Sequence, residues 1–126
     1  MLTSTQVGRA GEFFSAFIFE MHGILSVHVD LTGIDLWCET PSGRRIGVQV
    51  KTASCPRMEG SSHRKYARYT FSQHKGRPSH ADLFAFVALD RRCLLVRENL
   101  HWSSIKFLPH CFTEEEQNAS IARLLF

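Results

Sequence analysis

No stretch of this 126-residue chain approaches the ~18 consecutive apolar residues that a membrane-spanning helix needs. The opening residues, Met1-Leu2-Thr3-Ser4-Thr5, lack the positive start and following apolar core of a secretory signal. These two absences predict a cytoplasmic protein that crosses no membrane. Paired cysteines are lacking as well. Cys38, Cys55, Cys93 and Cys111 are widely and irregularly spaced, and no CxxC pair occurs, which argues against a zinc ribbon or a thioredoxin-like redox motif. Cys38 and Cys93 fall in strand-like runs and read as small core residues. His101, His110 and Cys111 fit no metal-ligand spacing. Repeats and low-complexity tracts are absent too. With 44% hydrophobic residues the chain has the composition of an ordinary folded protein, and its length suits a single domain over residues 1–126 with a substantial core.

What the sequence does contain is clear periodicity. Val7, Ala10, Phe13 or Phe14, Phe17, Ile18 and Met21 recur at helical spacing, which predicts a helix over residues 5–22 whose Phe-rich stripe is core. Ser4 or Thr5 would cap it and Gly23 would end it. Residues 24–31 alternate as a first strand, and residues 33–53 read as a hairpin. Its turn, Pro41-Ser42-Gly43, suits a three-residue loop, with Pro first and a Gly free to take positive φ last. In that register Thr40 faces Arg44 and Asp35 faces Gln49. Ile34, Leu36 and Cys38 then share the core face with Ile46, Val48 and Val50. Two more strands follow at 83–89 and 93–96, turned by Asp90-Arg91-Arg92. A last helix spans 113–125, with Thr113 and Glu116 as a capping box and an apolar end at Ile121, Leu124 and Leu125. Strands interrupted by helices predict a mixed α/β sheet with helices packed on it.

The same register puts Asp35, Gln49 and Lys51 together on the opposite face of the hairpin. The strand that carries Gln49 and Lys51 is rich in β-branched apolar residues, and a lysine drawn into such a strand requires a partner. A helical carboxylate, Glu12 in Gly8-Arg9-Ala10-Gly11-Glu12, precedes the hairpin. In this pattern, across residues 5–97, the chain resembles the PD-(D/E)XK nuclease superfamily with its restriction-endonuclease-like fold. The Gly-x-x-Gly-Glu start and the Val48-Gln49-Val50-Lys51-Thr52 segment look most like the intron-encoded homing endonuclease and Holliday junction resolvase branches. The chain departs from the pattern in two places. Ile34 stands where a Pro usually precedes the aspartate, and Gln49 occupies the second acidic position, which removes a charge from the metal site.

The resemblance implies a core of αβββαβ order, here with an additional C-terminal helix, and a metal-dependent DNA endonuclease activity. It implies Glu12, Asp35, Gln49 and Lys51 as the catalytic set. Mg²⁺, with Mn²⁺ as a substitute, would be held by Asp35, the Gln49 amide oxygen, the Val50 carbonyl and Glu12, while Lys51 would orient or help deprotonate the attacking water. A hard divalent ion suits this chemistry because it takes oxygen ligands, keeps waters and offsets charge that develops on the phosphate. With an amide at position 49, a millimolar metal requirement is expected.

Residues 57–77 concentrate positive charge: Arg57, Arg64, Lys65, Arg68, Lys75 and Arg77 stand against Glu59 alone, a surplus of five in a chain whose whole net charge is +3. Such a stretch attracts phosphates regardless of sequence, with affinity that falls steeply as salt rises. Gly60-Ser61-Ser62 reads as mobile, and Tyr66 and Tyr69 read as packing residues rather than base-stacking ones. Cutting both strands of a duplex or a junction takes two sites, so a homodimer or homotetramer is expected, with 121–126 either an interface or a cap on its own core. Two other classes stay open on sequence grounds: a catalytically degenerate DNA-binding protein of the same fold, and an unrelated α/β interaction domain.

Overall fold

A computed structural model describes residues 1–73, 79–100 and 102–126, apart from the Asp30 side chain. The first helix, α1 (Ser4–Met21), starts one residue earlier than expected because Thr3, not Ser4 or Thr5, is the cap. Thr3 Oγ1 accepts from Gln6 N (3.2 Å) and Gln6 Oε1 accepts from Thr3 N (2.9 Å), a reciprocal capping box. Gly23 at φ 79° ends the helix. The chain then runs through β1 (Leu25–Leu31), β2 (Ile34–Glu39) and β3 (Arg45–Ala53). The β2–β3 hairpin has the predicted register: Leu36 pairs with Val48, Cys38 with Ile46, and Thr40 N donates to Arg44 O at 2.9 Å. Gly43 takes φ 90°, which explains the glycine in that turn.

The next elements are β4 (Arg57–Ser61), β5 (Arg64–Ser72), β6 (Leu83–Ala88), β7 (Cys93–Glu98), β8 (Ser104–Phe107) and α2 (Glu114–Leu125). They form a five-stranded sheet in the order β1-β2-β3-β6-β7 and a three-stranded sheet in the order β4-β5-β8. β6 runs parallel to β3 and antiparallel to β7. Parallel neighbours need a long crossover, usually helical. Here the described part of that crossover is the β4–β5 hairpin, where the αβββαβ order expects a helix. Alternation decides it: Tyr69 and Phe71 are buried while Arg68 before them and Thr70 between them stay partly exposed, a period of two. Gly60-Ser61-Ser62, expected to be mobile, ends β4 and enters a two-residue turn.

Helices cover one face of the large sheet and the small sheet covers part of the other. On the helical face, Phe19 of α1 and Ile121 and Leu125 of α2 pack with Leu36, Val48, Leu94 and Val96. The end of α2 is thus a cap on its own core, and of that end Phe126 stays exposed. The buried side of α1 runs through Gly11, Ser15 and Phe19, flanked by Phe14 and Ile18. Phe13, Phe17 and Met21, expected in the core, are 57%, 57% and 71% exposed. On the other face Phe84, Phe86 and Leu95 pack against Tyr69 and Phe71 of β5 and Phe107 and Phe112, with Trp102 lying 4.9 Å from Phe84 and 5.3 Å from Phe86 between ring centres.

Candidate active site

The β2–β3 ladder pairs residues from Glu39↔Arg45 to Leu36↔Val48, and there it stops. Two residues further along β3, the Val50 N–H donates instead to Asp35 Oδ2 at 2.7 Å. A strand residue sends its N–H and C=O out on the same side, so the Val50 carbonyl leaves β3 on the edge that Asp35 occupies. Asp35, Gln49 and Lys51 lie on the sheet face away from the helices, and all three are half-buried. Gln49 and Lys51 sit beside Phe84 and Phe86 in the parallel β3–β6 register. Both phenylalanines are fully buried, so the aromatic pack forms one wall of the site.

That wall sets the electrostatics. Burial pushes the Asp35 carboxyl above its usual range, while the Val50 N–H and the charges of Lys51 and His28 pull it back. Burial likewise holds the Lys51 amine below its usual range, opposed by the Asp35 charge. Each group is shifted toward its neutral form, a condition frequent where a proton must be held or moved. Gln49 Oε1 is buried and has no hydrogen-bond partner within the protein. An orphaned buried acceptor is rare in a folded chain and marks a place for an ion, a water or a ligand group.

Glu12 arrives differently. At Gly11 a Cβ would stand 1.8 Å from Thr52 Oγ1, so only glycine lets α1 approach β3 this closely. Ser15 Oγ donates to Gly11 O at 2.8 Å across the same turn. Glu12 is half-buried next to this contact. It comes from the helical side of β3, and of the four predicted residues it alone is off the shared face. Among the described residues no group of three His, Cys, Asp or Glu side chains gathers as a metal cluster. Asp35, Gln49 and Val50 offer one carboxylate, one unpartnered amide oxygen and one backbone carbonyl on adjacent strands. That set fits a hard cation that retains several waters.

Neighbouring polar residues serve structure. Asp82 Oδ2 accepts from Gly47 N and Asp82 N donates to Gly47 O, both at 2.8 Å, which seats the start of β6 on β3. Ser79 Oγ donates to Gly33 O at 2.7 Å and fixes the turn before Asp35. His28 lies tilted against Phe13 with ring centres 4.8 Å apart and is one of the lesser electrostatic influences on Asp35. His80 is exposed. Among the basic residues, Arg57, Arg64, Lys65 and Arg68 lie on the β4–β5 hairpin, whereas Lys75 and Arg77, like His74 and His101, fall outside the described residues. Tyr69 is the packing residue expected. Tyr66 is not, being 41% exposed with the Arg68 guanidinium 4.6 Å from its ring centre.

Among the described residues no helix is long and apolar enough to cross a membrane. No family model matches the chain. No curated protein matches it either. Among solved structures it is similar to a bacterial homing endonuclease, I-Ssp6803I, with a TM-score of 0.64 and 17% identity, over 86% of this chain and 77% of that one. At that identity the likeness establishes a shared fold: a mixed α/β architecture of two sheets with a helix at each end.

Proposed function

We propose that this chain is a metal-dependent DNA endonuclease of the PD-(D/E)XK type, one nuclease-like domain over residues 1–126 that hydrolyses phosphodiester bonds. The observation that carries the reading is the Asp35–Val50–Lys51 arrangement. A ladder gives way to a carboxylate, and a half-buried lysine and an orphaned amide oxygen share its face. The homing-endonuclease fold supports it and favours a duplex-cutting role over a resolvase-like one.

Asp35, the Gln49 amide oxygen and the Val50 carbonyl would hold Mg²⁺ or Mn²⁺, with Glu12 contributing directly or through water. When bound, the ion supplies Lewis-acid stabilisation of phosphate charge and lowers the pKa of water. The chain's own residues do the rest. The Val50 N–H fixes one Asp35 oxygen, and the other would serve as the metal ligand. Lys51, its amine held below the usual lysine range, positions the attacking water and takes up or shares its proton. Arg57, Arg64, Lys65 and Arg68, together with Lys75 and Arg77, supply phosphate attraction along the DNA. Two active sites are needed to cut both strands, so the working form is a homodimer or homotetramer acting on DNA inside the cell.

The test is cleavage of labelled linear duplex and four-way-junction DNA by wild type and Lys51→Ala, with Mg²⁺, Mn²⁺ or EDTA. Metal-dependent cutting that falls by about 10²–10³-fold in Lys51→Ala is the expected result. DNA binding without cutting under either metal would leave the degenerate, binding-only reading in its place.

A further inference from the structure

We infer that the β4–β5 hairpin is a two-stranded ribbon that enters the major groove of duplex DNA, with Arg68 reading a base edge. This inference rests on the nucleic-acid reading above and deepens it. Strand β5 has two unlike halves. Residues 69–72 pair with β8, and Tyr69 and Phe71 are buried in the aromatic pack. Residues 64–68 pair with β4 alone. Beyond the anchor, therefore, the hairpin is only two strands wide, and Arg57, Ser61, Arg64, Lys65 and Tyr66 are exposed. A major groove admits a ribbon of that width.

Alternation sorts its side chains. Tyr69 and Phe71 face the large sheet, so Arg64, Tyr66, Arg68 and Thr70 face away from it. Two contacts confirm this: Thr70 Oγ1 donates to Glu59 Oε1 at 3.2 Å, and Arg68 lies over Tyr66. Across the ladder Arg57 stands opposite Arg68, and Ser61 opposite Arg64. Three of the ribbon's four cations thus share the outward face. Like charges directly opposite one another destabilise a strand pair. The Arg57–Arg68 pair is a cost to the isolated protein that a bound polyanion removes. Glu59 relieves it only in part: the Arg68 charge is the least of the influences on its carboxylate, which is held chiefly by Lys106 Nζ at 2.9 Å and by Thr70.

Arg68 is also held in the manner of a reader. Its guanidinium carbon lies over the Tyr66 ring, 4.6 Å from the centre, and its Nε is buried without a hydrogen-bond partner. A guanidinium so fixed offers its outer N–H pair in a constant orientation, the geometry that takes guanine O6 and N7 together. The strand rise of about 3.3 Å per residue places Arg64, Tyr66 and Arg68 at steps of roughly two base pairs. The deep, narrow major groove of A-form RNA excludes the same ribbon.

The experiment selects bound duplexes from a random-sequence library with the full chain in EDTA, so that cleavage plays no part. Wild type, Arg68→Lys, Tyr66→Ala and Lys65→Ala are compared, each checked by thermal melting. Wild type should enrich a defined sequence. Arg68→Lys, which keeps the charge but loses the fork, should lose about tenfold to a hundredfold discrimination at one G·C pair. Tyr66→Ala should loosen the same position, and Lys65→Ala, on the other face, should weaken binding to all sequences alike without changing which base pair is preferred there. Enrichment of no sequence by wild type, or a preference unchanged in Arg68→Lys, overturns the inference. The nuclease reading is judged apart, by the Lys51→Ala cleavage assay. A preference lost in Arg68→Lys without cleavage by wild type sinks only the nuclease. Cleavage without an Arg68-dependent preference sinks only the ribbon.

Discussion

The two faces of the five-stranded sheet are finished differently. On the helical face α1 and α2 close the surface, and Phe19, Leu36, Val48, Leu94 and Ile121 are at 0% exposure. On the opposite face the small sheet covers β6 and β7, while the β1–β2 side stays open: Leu25, Val27 and Trp37 are 57%, 61% and 39% exposed around a groove of about 460 Å³. Asp35, Gln49 and Lys51 stand where that cover ends. Full cover would neutralise a carboxylate and a lysine, and full exposure would leave them as they are in water. The margin between the two gives an Asp shifted up and a Lys shifted down with solvent still at hand.

The largest effect comes from breaking the covered half. Phe86 is fully buried and touches Phe71, Phe107 and Trp102. Phe86→Ala should cost about 3–5 kcal/mol of stability, measured by urea unfolding. It should also let water reach Lys51, its neighbour in the β3–β6 register. The Lys51 amine should then titrate closer to 10.5 in any sample that stays folded.

The open half is tested by Lys51→Ala. Loss of one such electrostatic group should reduce cleavage by about 10²–10³-fold. Stability at neutral pH should hold or rise, since the charged amine is disfavoured by burial. The pH profile carries the sign. Wild-type cleavage should climb as pH passes upward through the raised Asp35 value, because a protonated carboxyl holds no metal. It should climb further as the lowered Lys51 amine gives up its proton, and Lys51→Ala should lack that second rise.

How much of this was legible depended on the range of the forces involved. The β2–β3 register could be read because the Pro41-Ser42-Gly43 turn and six alternating apolar residues agree locally. The α2 cap followed from Thr113, which accepts from Glu116 N at 3.1 Å. The small sheet could not be read. Tyr69 and Phe71 are core only because Phe86, Phe107 and Phe112 come from far along the chain to meet them. Helical period also left the face of α1 ambiguous between Phe13 and Phe14. Gly11, seated on Thr52, decides for the stripe that includes Phe14 and leaves Phe13, Phe17 and Met21 outside. At the site, alternation placed Asp35, Gln49 and Lys51 on one face. It gave no sign that the ladder stops and that Asp35 captures the Val50 N–H, since that bond is set by where β2 diverges.

Gly11→Ala tests the helical face at its closest approach. A methyl group meeting Thr52 at 1.8 Å cannot be absorbed without moving α1 or turning Thr52. Overpacking of this kind should cost about 1–3 kcal/mol. The double variant Gly11→Ala, Thr52→Gly should recover much of the loss, because all three atoms in conflict, Oγ1, Cβ and Cγ2, belong to the threonine side chain. If the helix carries Glu12 into the metal site, the single variant should also raise the Mg²⁺ concentration needed for half-maximal cleavage, and the double variant should restore it. Recovery of stability without recovery of metal dependence would place Glu12 outside the site.

The smallest effect separates folding from chemistry at Asp35 itself. Its folded pKa is raised above 3.8 chiefly by burial. The protonated form is therefore the one the fold prefers. Any stability it lends is fully present below the unfolded pKa and is lost as pH rises through the folded value. At neutral pH wild type carries a half-buried charge that Asn does not. Asp35→Asn keeps an oxygen to accept the Val50 N–H, so its melting temperature should match or slightly exceed wild type at pH 7, with the gap closing below pH 3.8. Metal-dependent cleavage should be lost all the same, for an amide brings no charge to the ion. A melting temperature that falls at pH 7 would mean that the Val50 N–H and the Lys51 charge outweigh burial there, and that Asp35 holds the hairpin end together as an ionised partner.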